Sequence, residues 1–127
     1  MDANTAASGA RKRILCVDDH ADTNEVMRFM LNANGYDTVI AASVSDALEH
    51  AAFGGFALYI LDNWLGQSSG TYLCERIRAF DRHTPIMFYS AAGYKADIQE
   101  GMNAGAQAYV VKPDFDRLEQ TIDRLIL

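Results

Sequence analysis

The most informative pattern in this chain is a set of short, continuous apolar runs, each followed directly by a polar side chain. The runs cover residues 14–17, 58–61, 86–89 and 109–111. Continuous apolar stretches of this length are typical of strands buried on both faces, as in a parallel sheet covered by helices. A weaker alternation over residues 36–42 predicts one further strand. We therefore expect five strands.

Helical spacing of apolar residues separates these predicted strands. It predicts one helix that starts after Ser43 and others over residues 22–34, 70–80, 96–105 and 114–127. Ser43 is a good N-cap because Asp46 follows it at capping-box spacing. The spacing also places Phe29 of the first helix and Met102 of the fourth on faces that we expect to be buried.

Strands and helices alternate along the whole chain, which is the order of an α/β domain with right-handed βαβ crossovers. We therefore expect a doubly wound, five-stranded parallel sheet. One domain of 127 residues can bury a substantial core. We assign residues 13–127 to this domain and residues 1–12 to a flexible N-terminal tail.

Composition excludes several classes of function. Apolar residues make up 50% of the chain, but no run is long enough to cross a membrane. The net charge of −6 argues against direct nucleic-acid binding, which needs a basic face. Cys16 and Cys74 show no CxxC spacing and are expected to be buried thiols. Their use as free thiols favours a reducing, cytoplasmic location.

Polar side chains end four of the predicted strands. Asp18 and Asp19 follow the first strand, Asp62 the third, Ser90 the fourth and Lys112 the fifth. Ligands of open parallel sheets bind outside the carboxyl ends of the strands. The sequence therefore predicts that three carboxylates, a hydroxyl and an ammonium group converge on one edge.

This set of charges suits a magnesium ion and a phosphoryl group. Two unit charges about 4 Å apart interact by roughly 4 kcal/mol at an effective dielectric constant of 20, so three clustered carboxylates need a cation or a proton. Magnesium prefers a few carboxylates, retained waters and a phosphate oxygen. Three carboxylates and one lysine sum to −2, which Mg²⁺ brings to neutrality.

Five motifs in order resemble the receiver domain of two-component response regulators. They are Val17-Asp18-Asp19, Leu61-Asp62 with Gly70 eight residues on, Tyr89-Ser90-Ala91, Gly105-Ala106 before Tyr109, and Val111-Lys112-Pro113. Each alone is a weak signal, but the ordered set is specific, and the resemblance extends from about residue 13 to residue 127. It implies a flavodoxin-like (βα)5 fold with strand order 2-1-3-4-5.

The resemblance implies a role for each residue at the predicted edge. Asp62 would be the phosphoacceptor nucleophile. Asp19, together with Asp18 directly or through water, would hold Mg²⁺, as would Asp62 and the backbone carbonyl of Trp64. His20 is expected to face solvent, because no second histidine or cysteine accompanies it.

The remaining roles concern the phosphoryl oxygens and a switch. Lys112 would pair with one phosphoryl oxygen and Ser90 would donate to another. We expect the Lys112–Pro113 peptide to be cis. Ser90 and Tyr109 would form the switch, with the Tyr109 ring turning inward on activation. Gly101 favours a mobile fourth helix, because glycine in a helix costs about 1 kcal/mol relative to alanine.

The resemblance also implies partners. A sensor histidine kinase or a histidine phosphotransfer protein would donate the phosphoryl group, and a downstream protein would dock on the face formed by helix 4, strand 5 and helix 5. The chain ends with the fifth predicted helix, so we expect no DNA-binding or enzymatic effector within it. Catalysis would be limited to its own phosphoryl transfer and autodephosphorylation.

Two residues depart from the family pattern. Gly66 stands four residues after the acceptor, where receivers usually have proline, so we expect a less rigid loop. Trp64 is bulkier than the residues common at its position. Its indole would lie beside the phosphoryl group, across from Ala92, and slow hydrolysis, or it would form an exposed partner contact.

Two alternatives come from other functional classes, and a third is a degenerate receiver. An aspartyl-phosphate hydrolase would need a second aspartate at the position of Trp64. A flavodoxin-type cofactor binder would need a phosphate loop where Asp18, Asp19 and His20 would repel phosphate. A degenerate receiver that acts as a phosphorylation-independent scaffold is disfavoured because every phosphorylation residue is present.

Overall fold

A computed structural model of the chain describes residues 11–126 and contains the expected five-stranded sheet. The strands are β1 (Arg13–Val17), β2 (Asp37–Ala41), β3 (Leu58–Leu61), β4 (Ile86–Ser90) and β5 (Ala108–Val111). All neighbouring strands are parallel, and their order is β2-β1-β3-β4-β5. The expected order is therefore confirmed, and β3, which is followed directly by Asp62, occupies the centre of the sheet.

Five helices connect and cover these strands. They are α1 (Ala21–Ala33), α2 (Val44–Phe53), α3 (Gly70–Arg78), α4 (Lys95–Asn103) and α5 (Phe115–Ile126). The Ser43 side chain accepts a hydrogen bond from the backbone N–H of Asp46, so the predicted N-cap of α2 is confirmed. Ser69 caps α3 in the same way through the N–H of Tyr72.

Alternate residues of each strand enter two separate apolar clusters, one on each face of the sheet. In β1, Leu15 joins the cluster that includes residues of α2 and α3, while Ile14 joins the cluster that includes residues of α1 and α5. This arrangement explains the continuous apolar runs, because every position of a doubly covered strand is buried.

Two helices present a different face from the one that apolar spacing indicated. In α1, Met27 and Leu31 are buried, whereas Phe29 is 79% exposed. In α4, the buried residue is Gly101, and Met102 is exposed. Close packing explains the second difference, because the Gly101 backbone lies against the rings of Phe88 and Tyr109 and leaves no room for a side chain.

A short antiparallel hairpin follows β3 and was not predicted from the sequence. Its strands are Trp64–Leu65 and Ser68–Ser69, and Gly66 lies in its turn with φ of +65°. This backbone conformation is one that glycine adopts readily. The hairpin connects the end of the central strand directly to α3, so it borders the predicted site.

The beginning of the described chain is attached to the domain. The Arg11 guanidinium donates to the backbone carbonyls of Gly35 and Asn32, and Lys12 Nζ donates to the carbonyl of Ile126. Residues 1–10 of the predicted tail lie outside the described residues. Within residues 11–126, no helix combines the length and apolar character needed to span a bilayer.

Candidate phosphoacceptor site

The polar residues predicted from the strand ends lie together at one edge of the sheet. Asp18 follows β1, Asp62 follows β3, Ser90 ends β4 and Lys112 follows β5. Asp18, Asp62 and Ser90 are all buried. These residues meet because parallel strands end on the same side of the sheet and β1, β3, β4 and β5 are neighbours.

Lys112 joins two of the carboxylates. Its Nζ atom lies 2.7 Å from Asp18 Oδ2 and 3.7 Å from Asp62 Oδ2. The Lys112–Pro113 peptide is cis, as expected. Lys112 therefore makes its shorter contact with Asp18, and its ammonium group also stands within reach of a group bound to Asp62.

Asp62 is 3% exposed, and this burial has a clear electrostatic effect. Burial raises the pKa of Asp62, and the neighbouring charge of Asp18 adds to the rise. The Ser90 hydroxyl, the Lys112 ammonium group and the backbone N–H of Asn63 oppose it without reversing it. A cation placed beside Asp62 would favour its charged form.

Asp19 and His20 complete an acidic group at the mouth of the site. One ligand atom from each of Asp18, Asp19, His20 and Asp62 lies within 4.8 Å of all the others. Asp19 Oδ2 also accepts a hydrogen bond from the backbone N–H of Gly66 at 3.0 Å. Carboxylate oxygens in this number and spacing are the donor set that Mg²⁺ prefers.

His20 was expected to face solvent, and its side chain is 67% exposed. Its Nδ1 atom nevertheless lies 3.0 Å from Asp18 Oδ1 and 3.0 Å from Asp19 Oδ1. The hydrogen bond to Asp18, together with the charges of Asp18 and Asp19, raises the pKa of the imidazole. The sequence-based prediction missed the contact of the imidazole with Asp18 and Asp19, because it considered only a second histidine or cysteine as a partner.

The two predicted switch residues are connected through one peptide segment. The Ser90 hydroxyl accepts a hydrogen bond from the N–H of Ala92, and the Tyr109 hydroxyl donates to the carbonyl of the same residue. The Tyr109 ring is half-buried and stacks on Phe88, with ring centroids 5.1 Å apart. Tyr109 thus already lies inward in this structure, and the predicted turn of its ring on activation stays a prediction.

Asn63 belongs to the site although sequence reasoning did not single it out. Its backbone N–H donates to Asp62 Oδ1 at 2.8 Å, and its side-chain amide contacts Thr71 and Tyr109. Asn63 is only 7% exposed. The sequence shows only an amide directly after the acceptor, and the structure adds that it is buried and therefore requires hydrogen-bond partners.

Trp64 is largely exposed beside the site. Its side chain is 58% exposed and borders a groove between α3 and α4 that also contains Glu75, Asp97 and Glu100. Ala92 does not line this groove. The placement favours an exposed contact over shielding of a phosphoryl group, and the role of the Trp64 carbonyl as a metal ligand stays a prediction.

Comparison with known proteins identifies the family. Residues 14–123 match the family described as the response regulator receiver domain. The chain belongs to this family. Among curated relatives, the receiver is 35% identical over 101 residues to the nisin biosynthesis regulatory protein NisR of Lactococcus lactis, covering 80% of this chain and 44% of NisR. It is 33% identical over 103 residues to the DNA-binding response regulator MtrA of Mycobacterium leprae, covering 81% and 45%.

Solved receiver structures agree with the fold. The chemotaxis response regulator CheY4 of Vibrio cholerae superposes with a TM-score of 0.85 at 27% identity, covering 91% of this chain and 99% of CheY4. A CheY-like receiver of Methanospirillum hungatei gives a TM-score of 0.84 at 29% identity, covering 91% and 94%. The receiver described here spans less than half the length of the two curated relatives, which are named as regulators.

Proposed function

We propose that this receiver accepts a phosphoryl group on Asp62 with the help of Mg²⁺. The observation that carries the proposal is the position of the Asp62 carboxylate. It is buried directly after the central strand, with Lys112 Nζ 3.7 Å away and Ser90 at the end of the neighbouring strand β4. The acceptor carboxylate therefore has a cation beside it and a hydroxyl group at the end of the adjacent strand.

Asp19 and Asp62 are the residues best placed to hold the metal ion. Asp18 makes the shorter contact with Lys112 Nζ, 2.7 Å against 3.7 Å for Asp62, so Asp18 would act directly or through a retained water. The Trp64 carbonyl would supply a further ligand. When bound, Mg²⁺ neutralises the clustered carboxylates and the charge of the phosphoryl group.

The transfer step uses residues that the fold brings together. An Asp62 oxygen forms the bond to phosphorus, the bond between phosphorus and the donor's histidine nitrogen breaks, and its electron pair returns to the imidazole. Lys112 balances negative charge on the phosphoryl oxygens, and Ser90 donates a hydrogen bond to one of them. Such a step depends on positioning and on neutralised charge.

A sensor histidine kinase or a histidine phosphotransfer protein would donate the phosphoryl group. An apolar pocket of about 260 Å³ opens beside Lys112 and is bordered by Val26, Met27, Tyr89 and Phe115. Val26 and Phe115 are exposed, and Phe29 extends the apolar surface along α1. This surface would seat the donor domain next to the acceptor.

Output would pass through the face formed by α4, β5 and α5. Tyr109 lies on β5 and contacts both Gly101 of α4 and Phe88 of β4, so a change near Ser90 reaches this face. A downstream protein would dock there, without direct contact between the receiver and nucleic acid. The free, buried thiols of Cys16 and Cys74 accord with action in the cytoplasm.

Incubation with a small-molecule phosphodonor and Mg²⁺ tests the proposal. Intact-mass analysis should show one added phosphoryl group, which should be absent from Asp62→Asn and strongly reduced when the metal is chelated. Asp37→Asn, which changes an exposed carboxylate at the start of β2, is the matched control and should be phosphorylated normally. An adduct that persists in Asp62→Asn, or its absence from the unaltered chain, would refute the assignment.

A further inference from the structure

Asn63 connects the acceptor carboxylate with the switch aromatic through its own atoms. Its backbone N–H donates to Asp62 Oδ1 at 2.8 Å, and its side-chain Nδ2 lies 3.5 Å from the Tyr109 hydroxyl. Both contacts belong to a residue that is 7% exposed. A shift of the Asp62 carboxylate therefore acts on the residue that contacts Tyr109.

Neighbouring donors fix the orientation of the Asn63 amide. The backbone N–H of Thr71 points at one amide atom from 3.3 Å, and the Thr71 hydroxyl lies 3.2 Å from the same atom. A backbone N–H can only donate, so that atom must be the oxygen. The amide nitrogen is then the atom that faces Tyr109.

The direction of the hydrogen bonds is equally defined. The Tyr109 hydroxyl donates its single hydrogen to the carbonyl of Ala92, so it can only accept from Asn63. This gives a directed chain from Asn63 Nδ2 to Tyr109 Oη to the Ala92 carbonyl. The backbone N–H of Ala92, in turn, donates a hydrogen bond to the Ser90 hydroxyl, so Ala92 contacts both Ser90 and Tyr109.

We propose that Asn63 is a positioning residue that couples the state of Asp62 to Tyr109 by a route that does not pass through Ser90. The inference rests on the proposed phosphoryl acceptance at Asp62 and adds a second path from that site to the α4–β5–α5 face. The Ser90 path enters at the Ala92 N–H, and the Asn63 path enters at the Tyr109 hydroxyl. Asn63 also anchors the first turn of α3 through Thr71.

A double-mutant cycle between Asn63→Ala and Tyr109→Phe tests this coupling. Asn63→Ala keeps the backbone N–H to Asp62, and Tyr109→Phe keeps the ring on Phe88 but removes the hydroxyl. The readout is the set of NMR shift changes in residues 95–111 when beryllofluoride and Mg²⁺ are added. Intact-mass phosphorylation of each variant is measured in parallel, so loss of acceptance is distinguished from loss of coupling.

Asn63→Ala should remain phosphorylated while its shift changes in residues 95–111 fall to half or less. In the Tyr109→Phe background, the same substitution should cause no further loss, because contacting residues are not additive. Ser90→Ala combined with Asn63→Ala should lose more than either change alone. Full shift changes in Asn63→Ala, or additive losses with Tyr109→Phe, would overturn the proposal.

A second measurement covers the case in which Asn63→Ala does not fold. The side-chain amide resonances of Asn63 are followed in the unaltered chain and in Tyr109→Phe as beryllofluoride and Mg²⁺ are added. The amide should shift in both proteins, because it precedes Tyr109 on the proposed route, whereas the shift changes in residues 95–111 should be at least halved in Tyr109→Phe. An Asn63 amide that does not shift in the unaltered chain, or full shift changes in residues 95–111 of Tyr109→Phe, would also overturn the proposal.

Discussion

At the scale of single residues, the His20 imidazole occupies oxygens that a metal ion would need. Its Nδ1 atom is 3.0 Å from one oxygen of Asp18 and from one oxygen of Asp19. The ring is mostly exposed, so water and dissolved salt screen the interaction. The interaction can therefore modulate metal affinity without deciding whether the site forms.

We therefore expect His20→Ala to bind Mg²⁺ only modestly more tightly than the unaltered chain, by about two- to fivefold, because exposed ion pairs are weak. Calorimetric titration with MgCl2 at one neutral pH measures the change. His50→Ala is the matched control, because His50 pairs with Asp46 on α2. Weaker binding by His20→Ala would instead mean that the ring holds the two carboxylates in position.

Single residues also show what the sequence alone can predict about the site. Asp62 and Lys112 could be predicted because each ends an apolar run, and parallel strands bring such ends together. Asn63 and His20 could not, because their roles depend on which side chains face them across the site. Periodicity reports which face of an element is buried and carries no information on contacts between loops.

At the scale of elements, a short hairpin occupies the segment after β3 in which Gly66 lies, and the lower rigidity expected from Gly66 stays a prediction. The Gly66 N–H donates to Asp19 Oδ2, and its φ of +65° forms the turn. Proline, which the family pattern favours at this position, has no N–H and holds φ near −65°. This chain thus uses glycine to tie the hairpin to a predicted metal ligand.

Gly66→Pro should therefore destabilise the domain more than Gly66→Ala. Alanine keeps the N–H and carries the cost of positive φ, about 1–2 kcal/mol. Proline cannot adopt this φ and also loses the hydrogen bond to a carboxylate, which is worth about 1.5–3 kcal/mol when charged groups take part. Urea unfolding of both variants measures the difference, and equal free energies of unfolding would show that the Gly66–Asp19 contact adds nothing.

Helix α4 illustrates why apolar spacing can indicate the wrong face. Met102 is the larger apolar residue, but the helix approaches the sheet through Gly101. A Cβ atom at Gly101 would lie 3.0 Å from Phe88 Cε1 and 3.0 Å from Tyr109 Cδ2. Apolar spacing detects apolar side chains. It cannot detect a contact that forms because a glycine has no side chain.

Gly101→Ala should displace the Tyr109 ring, because Phe88 is fully buried while Tyr109 is only half-buried and can move. The gain in helix propensity of about 1 kcal/mol would be cancelled by overpacking, which costs about 1–3 kcal/mol. NMR contacts between the rings of Phe88 and Tyr109 should weaken. Glu100→Ala, on the exposed side of α4, should leave them unchanged. Intact ring contacts together with higher stability in Gly101→Ala would contradict the prediction.

At the scale of the whole molecule, strand order and the position of the site followed from alternating elements and family resemblance, whereas the connections between loops did not. Arg78 at the end of α3 donates to the carbonyls of Asp81, Thr84 and Gly105. It thereby joins the loop before β4 to the loop before β5. The contact between Arg78 and Gly105 joins segments 27 residues apart in the sequence, so no local pattern could have predicted it.

The Asp81 carboxylate accepts hydrogen bonds from His83 and Thr84 in the loop before β4. These hydrogen bonds should make the stability of the domain depend on pH. Burial by itself raises the pKa of Asp81, but hydrogen bonds from the side chain and backbone of Thr84 and from the backbone of His83 lower it overall. A carboxyl whose pKa is lower in the folded state stabilises the fold above its unfolded pKa. This contribution is lost as the pH falls through the folded value.

We expect Asp81→Ala to lower the free energy of unfolding by about 1–3 kcal/mol at neutral pH, because it leaves several donors without their acceptor. The difference from the unaltered chain should shrink as the pH falls below the ordinary aspartate pKa of about 3.9 and through the lower pKa of folded Asp81, where the carboxylate takes up a proton. Urea unfolding at a series of pH values measures it. Asp123→Ala removes an exposed carboxylate of α5 and should change stability by less than about 0.5 kcal/mol. A difference for Asp81→Ala that stays constant to acidic pH would show that the hydrogen bonds do not depend on the ionised carboxylate.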